Sequence, residues 1–489
     1  MADSSPRTLY TDLAPDLRIN RVVTGLWQIA DMERDDRHVD LQRAAQSMQP
    51  YVDAGLSTFD MADHYGSAED IAGLFRTECQ AGEHFRVLTK WVPKPGETSA
   101  ENTRAAIERA LTRLKAERID LLQYHTWNYA DLSYIDNLWH LQALKEEGLV
   151  GNIGLTNFDT AHLRLALDSG VDIVSNQVCF SLLDQRARGQ MAELCAERGV
   201  KLLAFGTLAG GFLSERWLGK PEPAMESLQT WSQMKYKRYI DAAGGWATFQ
   251  NLLQVLHQVA QRHAASIANV ATRCILDHPA VAAVLIGARL GESEHIGDNL
   301  RLQALQLADE DRAAIETALG SLATIPGDCG DEYRKPPFLT ASGDLSHHLS
   351  AMPAPFPTRK VGDDRELAGS GTHWEALAGF SRAVRVDNRV LVSGTTATQS
   401  DRVVGGSDPA SQTHFVIDKI EGALQSLGAR LEDVVRTRIY VRDLNDWEPV
   451  ARAHGQRFAG ILPANSLVQA PLVGEEYKVE IEAEAVIRA

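Results

Sequence analysis

The chain has 489 residues, enough for two or three domains at roughly 100–200 residues each. Its 49 Lys and Arg against 65 Asp and Glu give a net charge of −16, which repels phosphate backbones and argues against nucleic-acid binding as the main task. A hydrophobic fraction of 44% and a charged fraction of 23% suit globular domains; the start MADSSPRTLYTD lacks the apolar core of a signal peptide, and no apolar run reaches the about 18 residues of a membrane span, so no membrane association is expected.

From about residue 18 to 320, strand-like apolar runs alternate with helix-like stretches. The strand candidates are LSTFD (56–60), RVLTK (86–90), IDLLQYH (119–125), VGNIGLTNF (150–158), VDIVSNQV (171–178), VKLLAFG (200–206) and VAAVLIGAR (281–289). Several are nearly continuous Val, Ile and Leu, as strands covered on both faces should be. Helical patterns such as 101–117 and 161–170 lie between them. Repeated βα units of this length fit an α/β barrel or a doubly wound sheet. No GxGxxG follows the first strand, and Asp60, Lys90, His125, Asn157, Gln177 and Arg289 sit at the C-terminal ends of different strands. A barrel gathers those ends at one mouth, so a (β/α)8 TIM barrel over residues 1–323 is expected.

Residues 324–370 are rich in Pro, Gly, Ser and charge and read as a linker. Beyond it, 371–489 forms a second unit with a different rhythm. FSRAVRVDNRVLVSG (380–394) predicts a hairpin turning at Asp387-Asn388. A helix (409–428), a strand (434–443), a helix (446–460) and strands at 465–471 and 477–487 follow. This pattern predicts an α+β sheet with two helices on one face. The five cysteines, Cys79, Cys179, Cys195, Cys274 and Cys329, are scattered without CxxC spacing, which predicts no disulfide framework or zinc site and fits a reducing cytoplasm.

The stretch GLSTFDMADHYGSAEDIAG (55–73) places Asp60 at a strand end and Tyr65 five residues on, while Lys90 and His125 end the next two clear strands. Alone, each has a bland reading: an Asp caps a helix, a Tyr or Lys packs or faces solvent, a His is structural. Together they suit hydride transfer to a carbonyl. The growing negative charge on oxygen needs a proton, and Tyr can supply it as an acid. A neighbouring Lys ammonium is expected to lower the phenol's pKa from about 10 toward the working pH, with Asp holding that Lys in place and His steering the substrate.

These residues resemble the aldo-keto reductase superfamily over roughly residues 15–320, with FDMADHYGSAEDIAG matching its signature. The resemblance implies Asp60, Tyr65, Lys90 and His125 as the catalytic tetrad and NADP(H) as cofactor. It places Thr156, Asn157 and Gln177 at the nicotinamide carboxamide, Phe205 stacked on the nicotinamide ring, and Gly206, Leu208 and Arg216 at the pyrophosphate. Within GARLGESEHIGDN, it places Gly287, Arg289, His295, Asp298 and Asn299 at the 2′-phosphate and adenine; Arg289 can fork to a 2′-phosphate. Trp27 in GLWQ either walls the substrate site or packs in the core.

The C-terminal block resembles the RidA/YjgF family (endoribonuclease L-PSP-like) in FSRAVRVDNRVLVSGTTA, LEDVVRTRIYVRDLNDW, LPANSLV and KVEIEAEAV. This implies a chorismate-mutase-like α+β fold, a homotrimer, and ligand clefts between subunits built here from Ser393, Asn465 and Glu482. Where active members carry Pro-Ala-Arg to hold a substrate carboxylate, this chain has Pro463-Ala464-Asn465, and Asn makes no charged fork. Standard imine deaminase activity is therefore not expected. The leading reading is a cytoplasmic NADPH-dependent reductase of a small-molecule carbonyl, fused to a trimerisation or ligand-binding unit and containing no metal site. The alternatives are a coupled imine-processing enzyme with an active Rid-like cleft and a non-catalytic NADP(H)-sensing module.

Overall fold

The computed structural model describes residues 9–33, 38–96, 99–334 and 353–488. An antiparallel hairpin, Tyr10–Ala14 (β1) and Leu17–Asn20 (β2), precedes eight strands: Val22–Gly25 (β3), Thr58–Asp60 (β4), Arg86–Trp91 (β5), Ile119–Tyr124 (β6), Val150–Thr156 (β7), Ile173–Cys179 (β8), Lys201–Phe205 (β9) and Val281–Gly287 (β10). They close into a parallel barrel in the order β10-β3-β4-β5-β6-β7-β8-β9. The strands are apolar because helices cover them outside and side chains fill them inside; β7 is buried at all seven positions. Leu13, Leu17 and Ile19 of the hairpin join Val23, Leu88, Leu121, Leu203 and Ala283 in one apolar cluster. These barrel residues lie in the first half or, for Leu203, at the middle of their strands, so the hairpin plugs the end opposite the strands' C-terminal mouth.

The second unit is an α+β domain with a seven-stranded sheet: Thr358–Val361 (β11), Arg365–Ala368 (β12), Ala383–Val386 (β13), Arg389–Thr396 (β14), then, after a short ribbon of Thr398–Gln399 (β15) and Arg402–Val403 (β16), Val434–Val441 (β17), Ala464–Gln469 (β18) and Val479–Val486 (β19). The sheet order is β11-β12-β13-β14-β19-β17-β18, with only β17 and β18 parallel. Asp387 turns the β13–β14 hairpin at φ 52. Helices Pro409–Ser426 and Trp447–Arg457 cover one face. The first starts cleanly because Asp408 accepts from the Ser411 N–H at 2.7 Å and Pro409 needs no partner there.

The 324–370 stretch is more structured than a linker. β11 and β12 belong to the sheet, but β11 is exposed along its whole length, so its four residues carry no alternation to read. Residues 325–334 pack on the barrel, with Ile325, Cys329 and Glu332 buried. The rest of the stretch, 335–352, lies outside the described residues.

Helix Pro409–Ser426 docks on the barrel helix Thr160–Asp168, and Gly422 permits close approach: a Cβ there would lie 2.5 Å from the Ala130 carbonyl. A charged network is buried in this contact. His162 bonds Asp159 through Nδ1 (2.7 Å) and Asp418 through Nε2 (3.0 Å). Asp418 also accepts from Tyr134 (3.1 Å) and pairs with Arg457, which holds Glu421 at 2.8 Å. Burial works to lower the His162 pKa, but the two carboxylates outweigh it and raise it to about 9. A folded-state pKa above the ordinary 6.5 adds stability that is full below about pH 6.5 and fades as pH rises through about 9. Denaturation followed from pH 6 to 10 is therefore expected to show a loss on the order of 3 kcal/mol across that window, and His162→Gln is expected to flatten it.

Candidate active site

Closing the barrel brings the strand ends of the tetrad together. Asp60 ends β4 and Lys90 lies on β5, where its Nζ donates to Asp60 Oδ2 at 2.5 Å and to the Met61 carbonyl at 3.0 Å. Both side chains are only 4% exposed. The Lys90 ammonium lies 5.0 Å from the centroid of the half-buried Tyr65 ring. Trp27 meets that ring edge-on at 5.0 Å, so it stands beside the tetrad. His125 donates from Nδ1 to the Thr156 carbonyl at 3.1 Å, which fixes the tilt of its ring.

The sequence did not reveal how Asp60 is held. Its second oxygen, Oδ1, accepts from Gln123 (2.9 Å) and Gln177 (2.7 Å), and Gln177 also donates to Gln123 at 2.7 Å. Two amides and one ammonium thus fix the carboxylate in a dry site. The electrostatics also correct the expectation for Tyr65. Burial, followed by Asp60, pushes its phenol well above its ordinary value instead of lowering it. The reason is that Asp60 neutralises Lys90 at contact, so burial decides the sign. Burial likewise draws Lys90 below its ordinary value against the pull of Asp60. The phenol is therefore neutral at rest, beside a Lys90 held in contact with Asp60.

Thr156, Asn157, Gln177, Phe205, Gly206 and Gly287, all expected to contact the cofactor, sit at or just beyond the C-terminal ends of the barrel strands. Thr156 ends β7 and donates to the Gln177 carbonyl at 3.2 Å; Asn157 follows at φ 59, its N–H on that same carbonyl at 2.8 Å. Among the described residues the Asn157 side-chain oxygen is buried with no hydrogen-bond partner, so a carboxamide N–H would complete it. The nicotinamide group fits there on chemistry alone. Phe205 ends β9 with a half-buried ring. Gly206 follows at φ +80, where a Cβ would lie 2.2 Å from the Tyr236 hydroxyl. Leu208 is half-buried against the core. Arg216 is exposed, its guanidinium 5.5 Å from the Trp217 ring centroid. Gly287 ends β10 against the Gln28 side chain. Arg289 pairs with Glu292 at 3.4 Å. His295 precedes helix Ile296–Ala304, which carries Asp298, 3.7 Å from Arg301, and buried Asn299.

The segment after the barrel supplies groups the sequence did not single out. Arg334 donates to the carbonyls of Asn157 (2.5 Å) and Thr126 (2.9 Å) and sits 4.1 Å over the Tyr129 ring. Tyr333 meets His125 edge-on at 5.8 Å and accepts from Lys235 at 2.8 Å. Glu332 is buried on Arg186 at 2.8 Å. A stretch without periodicity offered no signal that it reaches the mouth.

Within one chain of the second domain, the three residues expected to build clefts between subunits lie apart. Ser393 donates to the Ser381 carbonyl at 2.8 Å. Glu482 holds Arg438 (3.0 Å) and Tyr440 (2.5 Å). Asn465 donates to Thr437 at 2.9 Å, and Thr437 contacts His454 of the covering helix at 2.9 Å. Thr437 and Arg438 are adjacent on β17 and point to opposite faces. Asn465 and Glu482 therefore serve opposite sides of the sheet within one chain.

The aldo/keto reductase family profile matches residues 21–319, and the endoribonuclease L-PSP profile matches 371–487. An uncharacterised protein of Streptomyces coelicolor is 36% identical over 117 residues, covering 24% of this chain and 87% of the relative. The chloroplastic pyridoxal reductase of Arabidopsis thaliana is 29% identical over 36% of this chain; the chain spans about half the length of that relative (53%). The structure of a glycerol dehydrogenase from Gluconobacter oxydans shares the fold at TM-score 0.52 and 20% identity, over 66% of this chain and 98% of that one. No described helix is long and apolar enough to cross a membrane. The chain belongs to the aldo/keto reductase family of oxidoreductases, with its family barrel joined to a RidA/YjgF-type domain.

Proposed function

We propose that the barrel reduces a small-molecule aldehyde or ketone with NADPH, with Tyr65 as the proton donor. The observation that carries this reading is Lys90, buried between Asp60 at 2.5 Å and the Tyr65 ring at 5.0 Å, at the mouth where a buried Asn157 oxygen awaits a donor. When bound, the nicotinamide cofactor supplies the hydride. Tyr65 is protonated at neutral pH and needs to release its proton only as the carbonyl oxygen becomes an alkoxide, a far stronger base than a phenolate. The Lys90 ammonium then stabilises the phenolate left behind. His125 orients the oxygen, and Trp27 closes the site beside Tyr65.

NADPH over NADH rests on Arg289, whose guanidinium is one-third exposed and loosely held by Glu292 at 3.4 Å. Arg289→Leu is expected to weaken NADPH binding by about ten- to a hundred-fold and NADH binding by less than about three-fold, read by fluorescence titration. Equal losses would remove the 2′-phosphate role. A cytoplasmic setting fits five unpaired cysteines.

The second domain is read as a trimerisation module without standard imine deaminase activity. Asn465 brings no charge for a carboxylate. The sheet face turned away from the helices carries exposed Leu391 and Arg436 and half-buried Arg438, a surface for further copies of this chain. Purified protein should oxidise NADPH in the presence of a reactive aldehyde; no turnover across a broad carbonyl panel would refute the reductase reading.

A further inference from the structure

Lys235 lies in helix Trp231–Ala242, and only 8% of the residue is exposed. Its ammonium donates to the Tyr333 hydroxyl at 2.8 Å. It sits 4.6 Å from the Tyr333 ring centroid, 5.1 Å from Phe205, 5.5 Å from Tyr236 and 5.8 Å from Tyr239. Among the described residues no carboxylate comes within ion-pair distance of it. The carboxylate that acts on it, Glu332, is engaged by Arg186 at 2.8 Å, and Arg186 is also bound by Asp184 at 2.7 Å. Burial works against the charge on Lys235, but Tyr333 and Glu332 outweigh it and hold the group protonated.

A buried cation of this kind is unusual. Four aromatic rings attract it, yet rings and a neutral phenol replace water less well than an anion does. Its position shows where such an anion would come from. Tyr333, on which it rests, faces His125 at 5.8 Å, and Phe205, on its other flank, ends the strand next to Gly206 at the mouth. Phe205, Tyr333 and Tyr65 are each half-buried, so none of the three rings is sealed from solvent. The ammonium thus stands one aromatic ring, that of Tyr333, away from His125.

We propose that Lys235 and Tyr333 dock a carboxylate carried by the substrate, so that this reductase prefers a short oxo acid to the corresponding neutral aldehyde. The proposal rests on the reductase reading and names its substrate class. The carboxylate accepts from the Lys235 ammonium and the Tyr333 hydroxyl. That contact fixes one end of the molecule, while the carbonyl at the other end reaches Tyr65 and His125. The residue from the post-barrel segment therefore makes substrate choice depend on how that segment packs.

The test compares 4-oxobutanoate with butanal, using NADPH and the full-length protein. The wild type is expected to favour the oxo acid in kcat/KM. Lys235→Met is expected to reduce that preference about ten- to a hundred-fold through KM, and Tyr333→Phe by a smaller factor of the same sign. Lys235→Arg should restore part of it. NADPH affinity in all three variants should stay within about two-fold of wild type, which also reports that they fold. A wild type that reduces butanal as well as the oxo acid would overturn the docking proposal and leave the reductase reading intact. A loss of NADPH affinity in Lys235→Met would also overturn it, by assigning the ammonium to the cofactor. If neither aldehyde is reduced, butanoate binding to the NADP-loaded protein, measured by calorimetry, decides: binding lost in Lys235→Met supports the docking point, and no binding to the wild type overturns it.

Discussion

Tyr65→Phe is expected to lower kcat for carbonyl reduction by about 10²- to 10⁴-fold, the usual contribution of a positioned general acid, while NADPH affinity changes by less than about two-fold. The substitution removes one oxygen and leaves the ring that packs edge-on against Trp27 at 5.0 Å. Folding and cofactor binding should survive, so the loss would lie in the chemical step. Lys90→Met should be nearly as damaging for another reason. It removes the ammonium that stabilises the phenolate and leaves buried Asp60 with only the two amides of Gln123 and Gln177. The two effects should combine to much less than their product, because both act on one proton transfer.

Asp418→Leu is expected to destabilise the protein by about 3–5 kcal/mol, the range for removing one partner of a buried ion pair. Asp418 is fully buried between His162 and Arg457. Without it, both cations lose a contact that water cannot replace, and the tyrosine hydroxyl of Tyr134 loses its acceptor. Because His162 belongs to the barrel and Asp418 to the second domain, the cost falls on their docking. Thermal unfolding should then separate into two transitions where the wild type shows closer coupling. The double variant His162→Phe with Asp418→Leu should recover part of the loss, because it removes a stranded charge as well. No recovery would mean that the network acts through shape rather than charge.

The features of the site legible in the sequence are those fixed by local spacing. Asp60 and Tyr65 are five residues apart, and Lys90 and His125 end successive strands, so any barrel in register brings them to one mouth. Residues that meet only through tertiary packing gave no such signal. Lys235 and Tyr333 are 98 positions apart, and His162 and Asp418 are 256 apart. Gln123 looked like one more residue in an apolar strand until closure placed it on Asp60. The raised pKa of Tyr65 is illegible in the sequence for the same reason. Residue types told that an ammonium was near, but the sign depended on how deeply the phenol is buried and how closely Asp60 cancels the charge. In the second domain the local motifs identified the fold, whereas the facing of Asn465 away from Glu482 depends on register between β17 and its neighbours.

The most direct measurement uses NADPH deuterated at the transferring C4 position and a reactive aldehyde, with wild type and Tyr65→Phe in parallel. Wild type should yield an alcohol carrying one deuterium at the former carbonyl carbon, and Tyr65→Phe should yield almost none in the same time while still binding the cofactor. Full deuterium transfer by Tyr65→Phe, or none by the wild type across a broad panel of carbonyl compounds, would contradict the assignment of Tyr65 as the proton donor of a hydride-transferring barrel.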